Sequence, residues 1–186
     1  MMSSHVDVQL ISTTHGDRPL PERVVDGTTY TVIPEGCCEY AVKVSFRKTA
    51  EGKWPFDKVK IGCYVDGVDC NYYKRLDFDA LKTGHSATAF FKGYRTTGND
   101  VRAFTFTRTV TDNNDAANAH MLTAGLGEVK VEVFSAAVVQ SEIYENKAGM
   151  HSVPTGSRTV AGNKKFWQQA SLNTSAGRSV QEKFEP

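Results

Sequence analysis

Apolar and polar side chains alternate most regularly between Lys58 and Leu76, written KVKIGCYVDGVDCNYYKRL. Val59, Ile61, Cys63 and Val65 interleave with Lys58, Lys60, Tyr64 and Asp66, the period of two expected where a strand has one buried and one wet face. Asp66-Gly67 then interrupts the run. A two-residue type I′ hairpin turn needs positive φ at both central positions, which these two residues tolerate. Counting outward sets Val65 opposite Val68, Cys63 opposite Cys70 and Ile61 opposite Tyr72, so one face of the pair is apolar on both strands. The pattern predicts a β-hairpin at the centre of an all-β domain.

The same period recurs on either side. Val6, Val8 and Leu10 alternate with His5, Asp7 and Gln9, predicting a first strand that Pro19 and Pro21 bring to an end. Asp26-Gly27 offers a turn before a second strand over Thr28 to Ile33, closed by Pro34-Glu35-Gly36. Tyr40, Val42, Val44 and Phe46 alternate with Glu39, Lys43, Ser45 and Arg47, a third strand, and Glu51 to Phe56 is a loop before the central hairpin. Leu76 to Lys82 predicts one helical turn capped by Asp77 and ended by Thr83-Gly84. Ser86 to Tyr94 and Val101 to Val110 are strands flanking the polar turn Thr96 to Asp100. Asp112 to Ala124 has no strand pattern and reads as a long loop or a short helix. From Gly127 to Val139, Val129, Val131 and Val133 alternate with Glu128, Lys130 and Glu132, which predicts the longest strand of the sheet. About eight strands, with turn signals roughly every 8 to 12 residues and no long helix, predict an all-β fold, an antiparallel β-sandwich of jelly-roll-like type spanning residues 1–139.

Gly, Ser, Asn and Lys replace the alternation from Gln140 onward, so residues 140–186 read as an irregular C-terminal extension with room for a short helix or strand. Residues 157–186 hold five Lys or Arg and two Glu, a bias too mild for a polybasic tract, and the polar run after Trp167 reads as a solvated tail. Phe166-Trp167 is its one dense aromatic spot, and the expectation is that this pair contacts either the sandwich or a partner.

Composition narrows the class. A chain of 186 residues with 40% hydrophobic and 23% charged residues suits one soluble domain plus a modest extension. A net charge of +1 and a pI near 7.7 give no overall electrostatic footprint for nucleic acid or an anionic membrane. The N-terminus lacks the basic and apolar regions of a secretory signal, and no window approaches the roughly 18 apolar residues of a membrane helix. The expected location is therefore intracellular, in the cytoplasm or in a particle assembled there. The four cysteines suit buried small hydrophobes. Cys63 and Cys70, across the hairpin, are expected to be free thiols, and lie within disulfide reach if the compartment is oxidising.

Four motifs together resemble a family. Asp26-Gly27-Thr28-Thr29-Tyr30, Tyr40-Ala41-Val42-Lys43-Val44, Tyr64-Val65-Asp66-Gly67 and Gly125 to Val133 (GLGEVKVEV) follow in that order. Over roughly residues 6–139 the chain resembles an uncharacterised domain-of-unknown-function family of fungi and protists. The resemblance implies an all-β fold. It transfers no catalytic residue, because the family has no agreed activity.

The chemistry-bearing residues favour bland explanations. His5, His15, His85, His120 and His151 lack the short spacings of zinc sites, and the side chains of Cys37-Cys38 point to opposite sides of an extended backbone. Asp77 and Asp79, near Asp66 and Asp69, read as turn and capping groups rather than an acid–base pair. Asp112-Asn113-Asn114-Asp115 lacks the glycine and distal glutamate of a calcium loop. No phosphate loop, nucleophile elbow or Cys–His partnership occurs, so no catalytic residue, metal or cofactor is expected. Asn173-Thr174-Ser175 matches a glycosylation acceptor.

Tyr64, Tyr72, Tyr73, Lys74 and Arg75 form an aromatic and basic cluster in which Tyr72 should face the core and Tyr73 the solvent. Trp54 and Phe56 in a Gly-Lys-Trp-Pro-Phe loop, with Tyr73, Phe166 and Trp167, are the candidate interaction residues, and intramolecular docking competes with that reading. The leading functional expectation is a non-enzymatic β-sandwich module acting through protein–protein contact or self-assembly, with no nucleic acid or membrane partner. The alternatives are a structural subunit of a large assembly such as a viral capsid, and a carbohydrate-binding or hydrolytic sandwich.

Overall fold

Fourteen strands and no helix occupy the residues that the computed structural model describes, 5–36, 39–78, 87–97, 100–108, 110–112, 125–135, 154–155, 159–161 and 172–181. The first sheet is built around β5 (Glu39–Phe46). Along one edge β5 takes β1 (Val6–Ser12) antiparallel, from Val6 opposite Phe46 to Ser12 opposite Tyr40. Its other edge is shared: β8 (Ala87–Phe91) pairs with the Val42–Phe46 end and β10 (Asp100–Arg108) with Glu39 and Tyr40. After β8, β9 (Gly93–Arg95) turns onto β10, whose far edge is lined by β14 (Leu172–Gln181). A short β2 (Arg18–Pro19) caps the last two residues of β1. The second sheet is β12–β6–β7, from Val129–Ser135, Lys58–Val65 and Val68–Asp77. Two pairs stand apart, the β3–β4 hairpin (Glu22–Val25 and Thr28–Thr31) and the parallel β11–β13 pair (Val110–Asp112 and Thr159–Ala161).

The alternation read from the sequence sets the core. Tyr40, Val42, Val44 and Phe46 project from β5 onto Val59, Ile61, Cys63 and Val65 of β6, and Ala87, Ala89, Phe91, Tyr94 and Phe104 fill the first sheet's inner face. Tyr40 stacks between Phe104 and Phe106, with centroids 5.2 and 4.2 Å away. Each such side chain contributes on the order of 1.5 to 3 kcal/mol by leaving water, which drives the two sheets together. These pairings establish an antiparallel β-sandwich and stop short of a jelly roll.

The central hairpin forms as expected at its tip and departs from expectation along its stem. Asp66 and Gly67 have φ of 52° and 75°, the type I′ turn, and Val65 pairs with Val68. Beyond Tyr64–Asp69 the register jumps by two, so Gly62 faces Tyr73 and Ile61 faces Lys74 instead of Tyr72. The cause is Asn71, at φ 63°, whose N–H donates to the Asp69 carboxylate at 2.8 Å, a local bond that Asp and Asn favour over the ladder. A shift of two preserves the inward face. Cys70 and Tyr72 therefore stay buried, and Cys63 and Cys70 are free thiols in contact across the irregularity.

Two further expectations change. The polar run taken as a solvated tail contains β14, which runs along β10 for its whole length and buries Thr174 and Ser175. The serine hydroxyl of the Asn173-Thr174-Ser175 acceptor is engaged with Thr107 Oγ1 at 2.6 Å. Leu76 and Asp77 end β7 rather than starting a helical turn, whose remaining residues 79–82 lie outside the described set. Of the strand expected over Gly127–Val139, β12 is described from Val129 to Ser135 and residues 136–139 lie outside the described set. Among the described residues no helix is long and apolar enough to cross a membrane.

Candidate functional site

The two sheets are joined along one side and parted along the other. On the joined side Tyr72 Oη accepts the Lys92 N–H at 3.2 Å, and the Asn71 amide donates to the Arg95 carbonyl at 3.1 Å, tying β7 to the β8–β9 segment. On the parted side, between β1 and β12, lies a cleft of about 780 Å³. Its walls are the inward side chains Val6, Val8 and Leu10 of β1 and Val129 of β12, its floor is Tyr40, Phe106 and Val65, and the β3–β4 hairpin stands along its rim. Cavities of this volume hold small molecules or short peptide segments.

A buried polar post supports the floor. The Tyr40 hydroxyl and Thr174 Oγ1 are 2.6 Å apart, and the Thr174 N–H donates to Asp66 Oδ2 at 2.5 Å. Asp66 Oδ1 accepts the Gly127 N–H at 2.6 Å, and the Asp66 N–H donates to the Glu128 carbonyl at 2.9 Å. One carboxylate thus binds the hairpin turn, the loop entering β12 and β14. Burial pushes the Tyr40 phenol well above its ordinary range, partly offset by the Thr174 bond. At neutral pH it is a protonated hydrogen-bonding group and not a base.

Five apolar side chains of β1, the β3–β4 hairpin and the residue after it stand in solvent, and two of them, Val8 and Tyr30, line the cleft. Val24 is 68% exposed, Tyr30 54%, Val32 50%, and Val8 and Val25 38% each. Arg23–Tyr30 and Val24–Thr29 are cross-strand pairs of the β3–β4 hairpin, so its exposed apolar groups occupy both of its faces. Asp26 and Gly27, at φ 50° and 78°, make the turn. Read from the sequence, that Asp-Gly pair marked a turn with only its downstream strand; the upstream strand Glu-Arg-Val-Val carries no clean alternation to announce it. Val8 and Tyr30 were missed as candidates because neither stands out until the hairpin and β1 are placed beside each other.

The candidates named from sequence lie elsewhere. The Trp54 ring packs on Phe78 at 5.0 Å with Lys48 Nζ 5.1 Å from its centroid, and Phe56 joins the core, so both dock within the molecule. Tyr73 is half-buried on the outer face of β7. Its ring covers Gly62, with a ring carbon 3.2 Å from where a Cβ would stand, and Lys60 Nζ lies 4.0 Å from the ring centre. On the same face Lys130 reaches the Tyr64 ring at 5.3 Å, and the Tyr64 phenol is pushed up to about 12, by burial first and then by Asp69 and Glu132. Phe166 and Trp167 lie outside the described residues, as do Cys37, Cys38, His85, His120, His151 and Asp79. Among the described residues no group of three or more His, Cys, Asp or Glu side chains is placed to hold a metal ion.

No protein-family model, curated protein or solved structure matches the chain.

Proposed function

We propose that this chain is a non-enzymatic β-sandwich module that acts through protein–protein contact, with the open side of the sandwich as its contact surface. One observation carries the reading: Val8 and Tyr30 are exposed on the lining of a cleft that also presents Val6, Leu10, Ile33 and Val129, and Val24, Val25 and Val32 are exposed on and just after the hairpin along its rim. Scattered exposed apolar groups need no explanation, whereas exposed apolar groups that line a groove mark an interaction site. The β3–β4 hairpin sharpens the point, because an isolated two-stranded hairpin is marginal in water and gains by being covered.

Photo-crosslinking tests the proposal. A benzophenone amino acid placed at Tyr30, in the full chain, is expected to give a discrete protein adduct that excess unlabelled chain competes away. The same group at Glu51, exposed in the loop before β6, serves as the control. Equal, uncompeted labelling from both positions rejects the open side as a contact surface. An adduct of twice the chain mass assigns the surface to self-assembly, the role a capsid-type subunit would need.

A further inference from the structure

Resting on that reading, we infer that the partner presents an extended, basic segment that lies in the cleft as an added strand against the outer edge of β1. The first support is the ladder. The Leu10 carbonyl accepts the Leu20 N–H on the side away from β5, which fixes the direction of every second residue in an antiparallel strand. Residues 10, 8 and 6 turn their backbone groups outward, and residues 9 and 7 turn theirs to Lys43 and Ser45 of β5. β2 pairs with that edge at Ile11 and Ser12, the Leu20 N–H takes the Leu10 carbonyl, and between these and Val6 stands Val8, to which no described strand is paired on that side. Val8 therefore offers a backbone N–H and carbonyl at the mouth of the cleft, the arrangement used when a peptide joins a sheet edge.

Charge sets the chemistry of the occupant. The residues lining the cleft include Asp7, Glu22, Asp66 and Glu128 and no Lys, Arg or His, although the whole chain is nearly neutral. Asp7 alternates with the inward Val6 and Val8 and so turns its side chain to the other face of β1, and Arg23, across from Tyr30, is the cation nearest in the hairpin. Asp7 has Arg47 at 3.6 Å, and both Asp66 oxygens accept backbone N–H groups. Glu22 and Glu128 stand exposed on the hairpin and on the second sheet, flanking the groove. An added strand has alternate side chains pointing to opposite sides. Apolar residues at one parity would meet Val8, Leu10 and Val129, and Lys or Arg at the other would meet the carboxylates at the rim.

Three ten-residue peptides, alternating Val with Lys, with Glu or with Gln, are the probes, each added to the full chain and followed by fluorescence anisotropy and by backbone amide shifts. The lysine peptide is expected to shift Val8 and Tyr30 and to bind about tenfold or more tighter than the glutamate peptide, weakening as salt rises. Reversing the two rim charges in Glu22→Lys with Glu128→Lys, both at exposed positions, is expected to invert the preference without moving the melting temperature. Equal binding of all three peptides at Val8 and Tyr30 overturns the basic partner and leaves the protein-contact reading in place. No shift at Val8 or Tyr30 with any peptide overturns the inference, and the Tyr30 crosslink then judges the protein-contact reading separately. Light scattering that finds a dimer whose contacts include Val8 also overturns it, in favour of a second copy.

Discussion

Replacing Asp66 with Asn tests how the base of the open side is held. Asn tolerates the left-handed backbone of the turn at least as well as Asp, so the substitution leaves the hairpin tip unstrained. What changes is the carboxylate, which is 3% exposed and accepts two backbone N–H groups, from Gly127 at 2.6 Å and Thr174 at 2.5 Å. The Asn amide supplies one acceptor oxygen and sets an NH₂ group against the other N–H. One charge-assisted bond is lost, one becomes neutral, and one N–H, that of buried Thr174 or of Gly127, is left without its acceptor. With hydrogen bonds to charged groups at about 1.5 to 3 kcal/mol and an unsatisfied buried group at about 1 to 3, the net loss is about 2 to 4 kcal/mol after local relaxation. In a chain of this length that is a fall of roughly 4 to 16 °C in melting temperature. Equilibrium urea unfolding, followed by the fluorescence of Trp54 against Phe78, measures it directly, with the slope expected to stay constant. A loss under about 0.5 kcal/mol, the scale of an ordinary surface substitution, refutes the role given to Asp66.

Other outcomes follow from the same contacts. Gly125→Ala should cost about 2 kcal/mol or more in urea unfolding, because a Cβ there meets the Gly67 backbone at 2.8 Å with φ at +76°; wild-type stability would show that the loop does not rest on the turn. Gly67→Val should also destabilise, since a β-branched residue resists φ of 75°, and an unchanged melting temperature would contradict the turn. Cys63 and Cys70 should appear as free thiols by mass spectrometry under non-reducing conditions. Cys70, its thiol pushed well up by burial and by Cys63, should be alkylated only after unfolding, so a bridge or prompt native labelling would contradict the packing. Asp100 is held below the ordinary carboxylate range by hydrogen bonds from Ser179 and Thr96, with Arg102 adding to them. A depressed folded pKa contributes stability above the unfolded value of about 4 that is lost as pH falls through the folded one. The gap between wild type and Asp100→Asn should therefore be present at pH 7 and close in acid, and a gap independent of pH would contradict it.

How far the sequence reveals this molecule depends on which contacts are local. The β5 and β6 strands are legible because one buried face imposes a strict period of two, and Asp66-Gly67 is legible because the turn demands those residue types. The two-residue jump in β7 is hidden by its own parity: Asp69 and Asn71 carry the signal, but the apolar pattern is the same before and after it. β14 is hidden for a different reason. Leu-Asn-Thr-Ser-Ala-Gly-Arg-Ser-Val-Gln has no apolar stripe, and it is a strand because β10 offers a full-length edge to pair with and because Thr174 finds Tyr40 across the interior. Trp54 and Phe56 suggested an interface, since nothing in a Gly-Lys-Trp-Pro-Phe loop announces Phe78 as their neighbour. The cleft is the least legible feature. Its lining comes from β1, the β3–β4 hairpin, β5, β6 and its turn, β10, β12 with the loop before it, and β14, so no single stretch of sequence contains it.

The open edge of β1 is the claim on which the added-strand reading of the cleft turns, and residue-resolved amide hydrogen exchange of the full chain addresses it most directly. Asp7 and Gln9 donate toward β5 and should exchange slowly, while Val8, turned outward at the cleft, should exchange much faster in the unbound chain and become protected when the lysine peptide is added. Protection of Val8 equal to that of Gln9 in the unbound chain would mean that the edge is already covered, and would contradict the docking of a partner strand there.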